Sequence, residues 1–176
     1  TTGKYNSAVG REALFNNNTG NFNTAAGNAA MFNNTSGIFN SGFGQDALFS
    51  NTIGNFNTAL GQSALYNSTG SRNTGVGQSS LFANTSGELN TAVGQFALGT
   101  NTTGSGNVAL GQAALAGVVS GQYSTGVGQG ADTNFNDLDY VTVIGASSRV
   151  STSNTVVLGA LAANKSAAVS TTDDQV

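Results

Sequence analysis

The chain has 176 residues, only 7% of them charged, with a formal net charge of −3 and a sequence pI near 4.4. Five scattered Lys and Arg residues make no electrostatic footprint for phosphate backbones, which argues against nucleic-acid binding. Without His or Cys, zinc-type sites, disulfides and nucleophile–histidine pairs lack their usual parts, so the chain reads as a non-enzyme without a cofactor.

The chain opens on Thr1 rather than Met and carries no signal-peptide pattern, so it reads as a fragment whose targeting segment lies upstream. No apolar run approaches the roughly 20 residues of a membrane-spanning helix, and this segment is expected to make no membrane contact. A glycine returns at Gly10, Gly27, Gly44, Gly61, Gly77, Gly94, Gly111, Gly128 and Gly145. Each step is seventeen residues except Gly61 to Gly77, which is sixteen. A second comb runs at Gly3, Gly20, Gly37, Gly54, Gly70, Gly87, Gly104 and Gly121. Self-similarity at a fixed short period is the mark of a repeat architecture.

From Lys4 to about Ala131 the unit reads x-Φ-Asn-Thr-Ala-Val-Gly-Gln-x-Ala-Leu-Φ-x-Asn-Thr-x-Gly, with Φ often aromatic. The unit Asn55–Gly70 lacks one residue, placed in its Tyr66–Gly70 loop, where a deletion leaves strand register intact. Helices are excluded by glycines every seven or ten residues, each costing about 1 kcal/mol relative to Ala. Asn, Thr and Ser fill much of the remainder, and they favour turns. Alternation before each first-comb glycine predicts a strand. Phe56, Thr58 and Leu60 share one face, and Asn57 and Ala59 share the other. A second apolar stretch, such as Ala64-Leu65-Tyr66, predicts a second strand, with Gly at the corners supplying positive φ. The expected fold is an all-β parallel β-solenoid of about ten coils, a rod on the order of 45 Å long.

Stacked coils would align Asn6, Asn23, Asn40, Asn57, Asn73, Asn90 and Asn107 as an amide ladder, with Ser7, Thr24, Ser41, Thr58, Thr74 and Thr91 beside it. Val9, Phe43, Leu60, Val76, Val93, Leu110, Val127, Ile144 and Leu158 would form one apolar stripe. Leu14, Met31, Leu48, Leu65, Leu81, Leu98 and Leu115 would form a second. Interior positions are mostly Ala and Gly, so apolar residues on both faces imply covering by other copies of the chain.

The first division runs over 1–131. An acidic insertion at 132–139 follows, where Asp132, Asn134, Asn136, Asp137 and Asp139 place oxygen ligands like the first half of a calcium loop. The match breaks at the sixth position, Asp137 instead of Gly, and at the twelfth, Val143 instead of Glu, so a solvated loop with Asx turns is the competing reading. Regular Thr rows also admit an ice-binding face, against a reading in which stacked Asn and Thr satisfy one another. Asn-x-Thr triplets such as Asn17-Asn18-Thr19 follow from composition. Gly-x-Gly stretches such as Gly42-Phe43-Gly44 lack the strand–helix context of a nucleotide loop.

Gly145 to Gly159 is fourteen residues, within a third division at 140–161, and 162–176 is a tail. The run Val141-Thr142-Val143-Ile144-Gly145-Ala146-Ser147-Ser148 resembles the head repeats of trimeric autotransporter adhesins, the YadA-like head family. The seventeen-residue units are similar to repeats of bacterial and phage tail-fibre-domain proteins. The resemblance implies a left-handed β-roll, a homotrimer, an extracellular place on a bacterial surface or virion tail, and a structural or adhesive role toward a host or matrix receptor. A self-assembling filament and a monomeric ice-binding solenoid are the alternatives. Asp173-Asp174-Gln175-Val176 is faintly similar to that family's neck.

Overall fold

The structure, a computed structural model, describes residues 2–159 and the backbone of 168–169. Thr1, the end of the 140–161 division and most of the 162–176 tail, including Asp173–Val176, lie outside the described residues. Each coil contributes one three-residue strand. These are β1 Ser7–Val9, β2 Thr24–Ala26, β3 Ser41–Phe43, β4 Thr58–Leu60, β5 Thr74–Val76, β6 Thr91–Val93, β7 Val108–Leu110 and β8 Thr125–Val127. Then come β9 Asp132–Thr133, β10 Thr142–Ile144, β11 Arg149–Val150, β12 Val156–Leu158 and β13 Ala168–Val169. One sheet runs β1 to β8, then β10, β12 and β13, parallel in register at every step until the last pair, which is antiparallel. The result is an all-β parallel solenoid of about nine turns rather than ten.

The second expected strand is not one. In seven coils the Ala-Leu stretch is a run of turns, and only at β9 and β11 do two such segments pair as strands. The reason lies in φ. Asp46 and Leu48 have φ of 57° and 54°, and the same two positions are left-handed in most other coils. Left-handed backbone costs an L-residue about 1–2 kcal/mol. It persists here because alternate amides then point up and down the rod. Asp46 N–H donates to Asn28 O of the coil below at 2.9 Å, and Leu48 N–H to Ala64 O of the coil above at 3.0 Å. Coil-to-coil bonding is thus kept without extended backbone.

This conformation also turns the second apolar stripe inward. Leu14, Met31, Leu48, Leu65, Leu81, Leu98 and Leu115 are buried in one continuous core against the central strand residues, such as Ala25, Ala59 and Ala109. This stripe is covered by the chain's own coils. The strand centre is Ala or Gly because the facing Leu or Met fills the space. A Cβ at Gly42 would stand 3.0 Å from Met31 Cγ, and one at Gly126 would stand 2.6 Å from Leu115 Cγ. A second core, Ala131, Leu138, Val141, Val143 and Val150, continues beneath β10.

The two glycine combs have different causes. Gly44 has a φ of 129° and belongs to the comb whose members all take positive φ. Gly37 belongs to the other comb, and its φ is not in that region. A Cβ there would stand 2.5 Å from Gly54 O, with the Asn34 and Asn40 amides crowding it as well. That close approach serves a buried amide system. Asn23 Nδ2 donates to Gly37 O at 2.8 Å, and Asn34 Nδ2 donates to the same carbonyl at 3.1 Å. Asn23 Oδ1 accepts the backbone N–H of Asn40 in the next coil at 2.9 Å. The expected Asn ladder therefore mainly bonds backbone, not neighbouring amides. A second ladder bonds amide to amide: Asn34 to Asn17 at 2.8 Å, Asn51 to Asn34 at 3.0 Å and Asn101 to Asn84 at 2.9 Å.

Two predictions follow from these geometries. Leu65→Met conserves volume and should cost under about 1.5 kcal/mol. Leu65→Ile should cost about 1–2 kcal/mol more, since a β-branched side chain is forced to positive φ. Urea denaturation of both variants measures the gap, and equal costs would refute the left-handed assignment. Asn34→Ala should also destabilise more than Asn51→Ala, by about 1 kcal/mol. Asn34 Oδ1 accepts from Asn51, whereas Asn51 Oδ1 has no partner. The same denaturation series reads the difference.

Candidate interaction surface

In β2 to β8 and in β10 the middle residue is buried and the two flanking residues face outward. In-register pairing then draws straight rows along the rod. A hydroxyl row holds Ser7, Thr24, Ser41, Thr58, Thr74, Thr91, Thr125 and Thr142, interrupted by Val108. Two residues further on lies the apolar row of Val9, Phe43, Leu60, Val76, Val93, Leu110, Val127, Ile144 and Leu158, with Ala26 among them. Two residues before the hydroxyl row stand Tyr5, Phe22, Phe39 and Phe56. Their rings stack at 4.8, 4.8 and 5.2 Å, and Arg72, Leu89, Tyr123 and Tyr140 hold the same place further along.

Among the described residues, fourteen of the eighteen exposed large apolar side chains lie in the two rows that flank the hydroxyls. Val9 is 70% exposed, Leu60 50% and Tyr140 57%. Arg72 is the one charged residue in these three rows. At about 4.8 Å per coil and 3.3 Å per residue, the strip covers on the order of 600 Å². Two of its three rows are apolar, which puts its apolar share, on the order of 400 Å², within the range of the largest patch on a typical monomer. Phe56 reaches this face through a bend with φ of 59°, so the predicted alternation holds for sidedness although the extended segment is only Thr58–Leu60.

Among the described residues, the strand hydroxyl row takes part in no side-chain hydrogen bond. The hydroxyls that bridge coils belong to another column, where Thr35 donates to Thr52 O at 2.8 Å and Thr85 to Thr102 O at 2.9 Å. Those hydroxyls and the strand-side Asn ladder are therefore satisfied mainly by backbone, and the second Asn ladder by its own amides as well, while the strand row points out. A further ladder, absent from the sequence reading, joins Gln78, Gln95, Gln112 and Gln129 amide to amide at 3.0–3.2 Å.

The acidic insertion is dispersed. Asp132 is buried in β9 and accepts the N–H groups of Gly117 at 3.0 Å and Thr133 at 2.8 Å, with the Arg149 guanidinium 3.5 Å away. Burial raises its pKa above the ordinary carboxylate value of 3.8, outweighing those two amides and Arg149. Asn134 is exposed and bonds Ser151 Oγ, and Asn136 offers its backbone carbonyl to the N–H of Val119 at 2.9 Å. Asp137 is exposed, and Asp139 accepts the N–H of Gln122 at 2.7 Å. Asp132 and Asp139 thus spend oxygens on the preceding coil, in two different places. Among the described residues no three His, Cys, Asp or Glu side chains converge on a metal-sized space. No helix among them is long and apolar enough to cross a membrane.

No protein-family model, curated protein or solved structure matches the chain.

Asp132 makes stability depend on pH with a definite sign. A carboxyl whose folded pKa is raised contributes stability fully present below 3.8 and lost as pH rises through the folded value. Lowering the pH from 7 toward 4 should therefore raise the melting temperature of the wild type relative to Asp132→Asn. Paired thermal melts test this, and a parallel pH response of the two proteins would contradict it.

Proposed function

We propose that this chain is a non-enzymatic structural and adhesive module. It forms a homotrimeric rigid shaft or head of a bacterial surface adhesin or phage tail fibre, held outside the cell or on the virion tail. The observation that carries the reading is the uncovered strand face. The solenoid closes its own core with the Leu row, yet leaves a nearly uncharged strip along its length, two apolar rows flanking a row of hydroxyls. Such a strip calls for a long, straight partner with the same repeat, and copies of the chain have one. Trimer stoichiometry, a left-handed coil and a fourteen-residue head-type unit at 140–161 come from the resemblance of the repeats, and the Thr142–Val156 register agrees with that unit length. Loops on the remaining sides would present the module to a host or matrix receptor.

A monomeric ice-binding solenoid is the second reading, favoured by the outward hydroxyl row at regular coil spacing. Multi-angle light scattering separates the two. The module predicts a discrete particle of about three times the 17.5 kDa chain mass. Leu60→Lys with Val93→Lys should dissociate it at least about tenfold more readily, because each buries an unpaired charge. A 17.5 kDa monomer would sink the trimer, and thermal hysteresis in that monomer would establish the ice-binding reading. Indefinite fibres in electron micrographs would instead identify a filament subunit.

A further inference from the structure

The opposite side of the coil carries a second aromatic column that the reading above does not use. Phe15, Phe32, Phe49, Tyr66 and Phe82 stack with centroids 5.3, 5.4, 5.0 and 5.3 Å apart and planes within 16° of parallel. Each ring face is covered by the next ring, so only edges are offered along most of the column. A ligand that stacks on single ring faces, as a sugar does, finds none between the ends of the column. A flat, elongated ligand lying along the edges finds a straight apolar track about 20 Å long.

Charge beside the track selects the ligand further. The residues three positions earlier in each coil form the neighbouring row, shown by Phe96: a Cβ at Gly99, the next place in the column, would stand 2.6 Å from its ring. In that row stand Glu12, Asp46, Ser63 and Ser79. Arg11 pairs with Glu12 at 3.2 Å, while Asp46 receives the neutral amide of Gln45 at 3.0 Å and, among the described residues, no cation. The other bases of these coils, Lys4 and Arg72, adjoin the opposite column, next to Tyr5 and after Phe56.

We infer that the Phe15–Phe82 column binds elongated planar aromatic cations, lying along the rod axis beside Asp46. The site is independent of what covers the strand face.

Thioflavin T, a planar benzothiazolium cation, is the probe, titrated into protein shown by light scattering to be free of aggregates. A saturable fluorescence rise is expected. Phe49→Leu combined with Tyr66→Leu should weaken it about tenfold. Asp46→Asn should weaken it about threefold, and Phe39→Leu, in the opposite column, should leave it unchanged. Circular dichroism checks each fold, and if the double variant does not fold, Asp46→Asn and Tyr66→Leu alone, each weakening the signal about threefold, carry the test. Absence of a saturable signal, a signal that sediments with particles, or a loss caused by Phe39→Leu alone would overturn the inference.

Discussion

The rod depends on one shared acceptor per coil. The carbonyl of Gly37 receives Asn23 from the coil below and Asn34 from its own coil, and the same pair of bonds recurs at Gly20, Gly54, Gly87 and Gly104. A carbonyl has two lone pairs, and here both are used inside the protein. The arrangement tolerates no Cβ at the acceptor residue, which is why the second glycine comb is as regular as the first. It also holds every coil at one height above the last, and the leucine core and outward rows inherit that register.

These bonds explain how so thin a core suffices. A coil contributes about one Leu or Met and at most two Ala to this core, far less apolar area than an ordinary domain of this length buries. The deficit is met by coil-to-coil backbone bonds along much of each coil, by turn bonds within it, and by burying Asn where its amide is engaged. An unsatisfied buried polar group costs about 1–3 kcal/mol, so the ladders have to run almost unbroken. Surface charge contributes little in such a scheme, and the 7% charged composition reflects that.

The period, the stacking, the strand position and its inward Asn-x-Ala residues were legible because each follows from alternation and spacing. The left-handed segment was not, and the outward or inward sense of the Leu row went with it. A signal was present nonetheless. Among the described residues, the twenty-four non-glycine residues at positive φ include no Val, Ile or Thr, in a chain rich in Val and Thr. At the Leu positions only Leu and Met occur, both unbranched at Cβ. Exclusion of β-branched residues from a strand-like apolar position contradicts a strand, and that contradiction marks a turn. The dispersal of Asp132 and Asp139 was illegible for another reason, since their partners, Gly117 and Gln122, lie in the preceding coil.

The breaks in the ladders show how local the construction is. Among the described residues two buried side-chain oxygens lack a partner, Asn51 Oδ1 and Asn101 Oδ1. One coil above Asn51 the ladder position holds the shorter Ser68, in the same unit that lacks a residue, and one coil above Asn101 it holds Val118. Each defect reaches one neighbour and stops, as nearest-neighbour coupling in a solenoid requires. Coils beyond the defect keep their register, with Thr58 paired to Thr74 and Thr91 to Val108. Outward rows therefore vary without disturbing the interior. Arg72 interrupts an aromatic column and Val108 a hydroxyl row, while Asn73 and Asn107 beside them bond as their counterparts do. A fold of this kind separates the residues that hold it together from the residues it displays, one coil at a time.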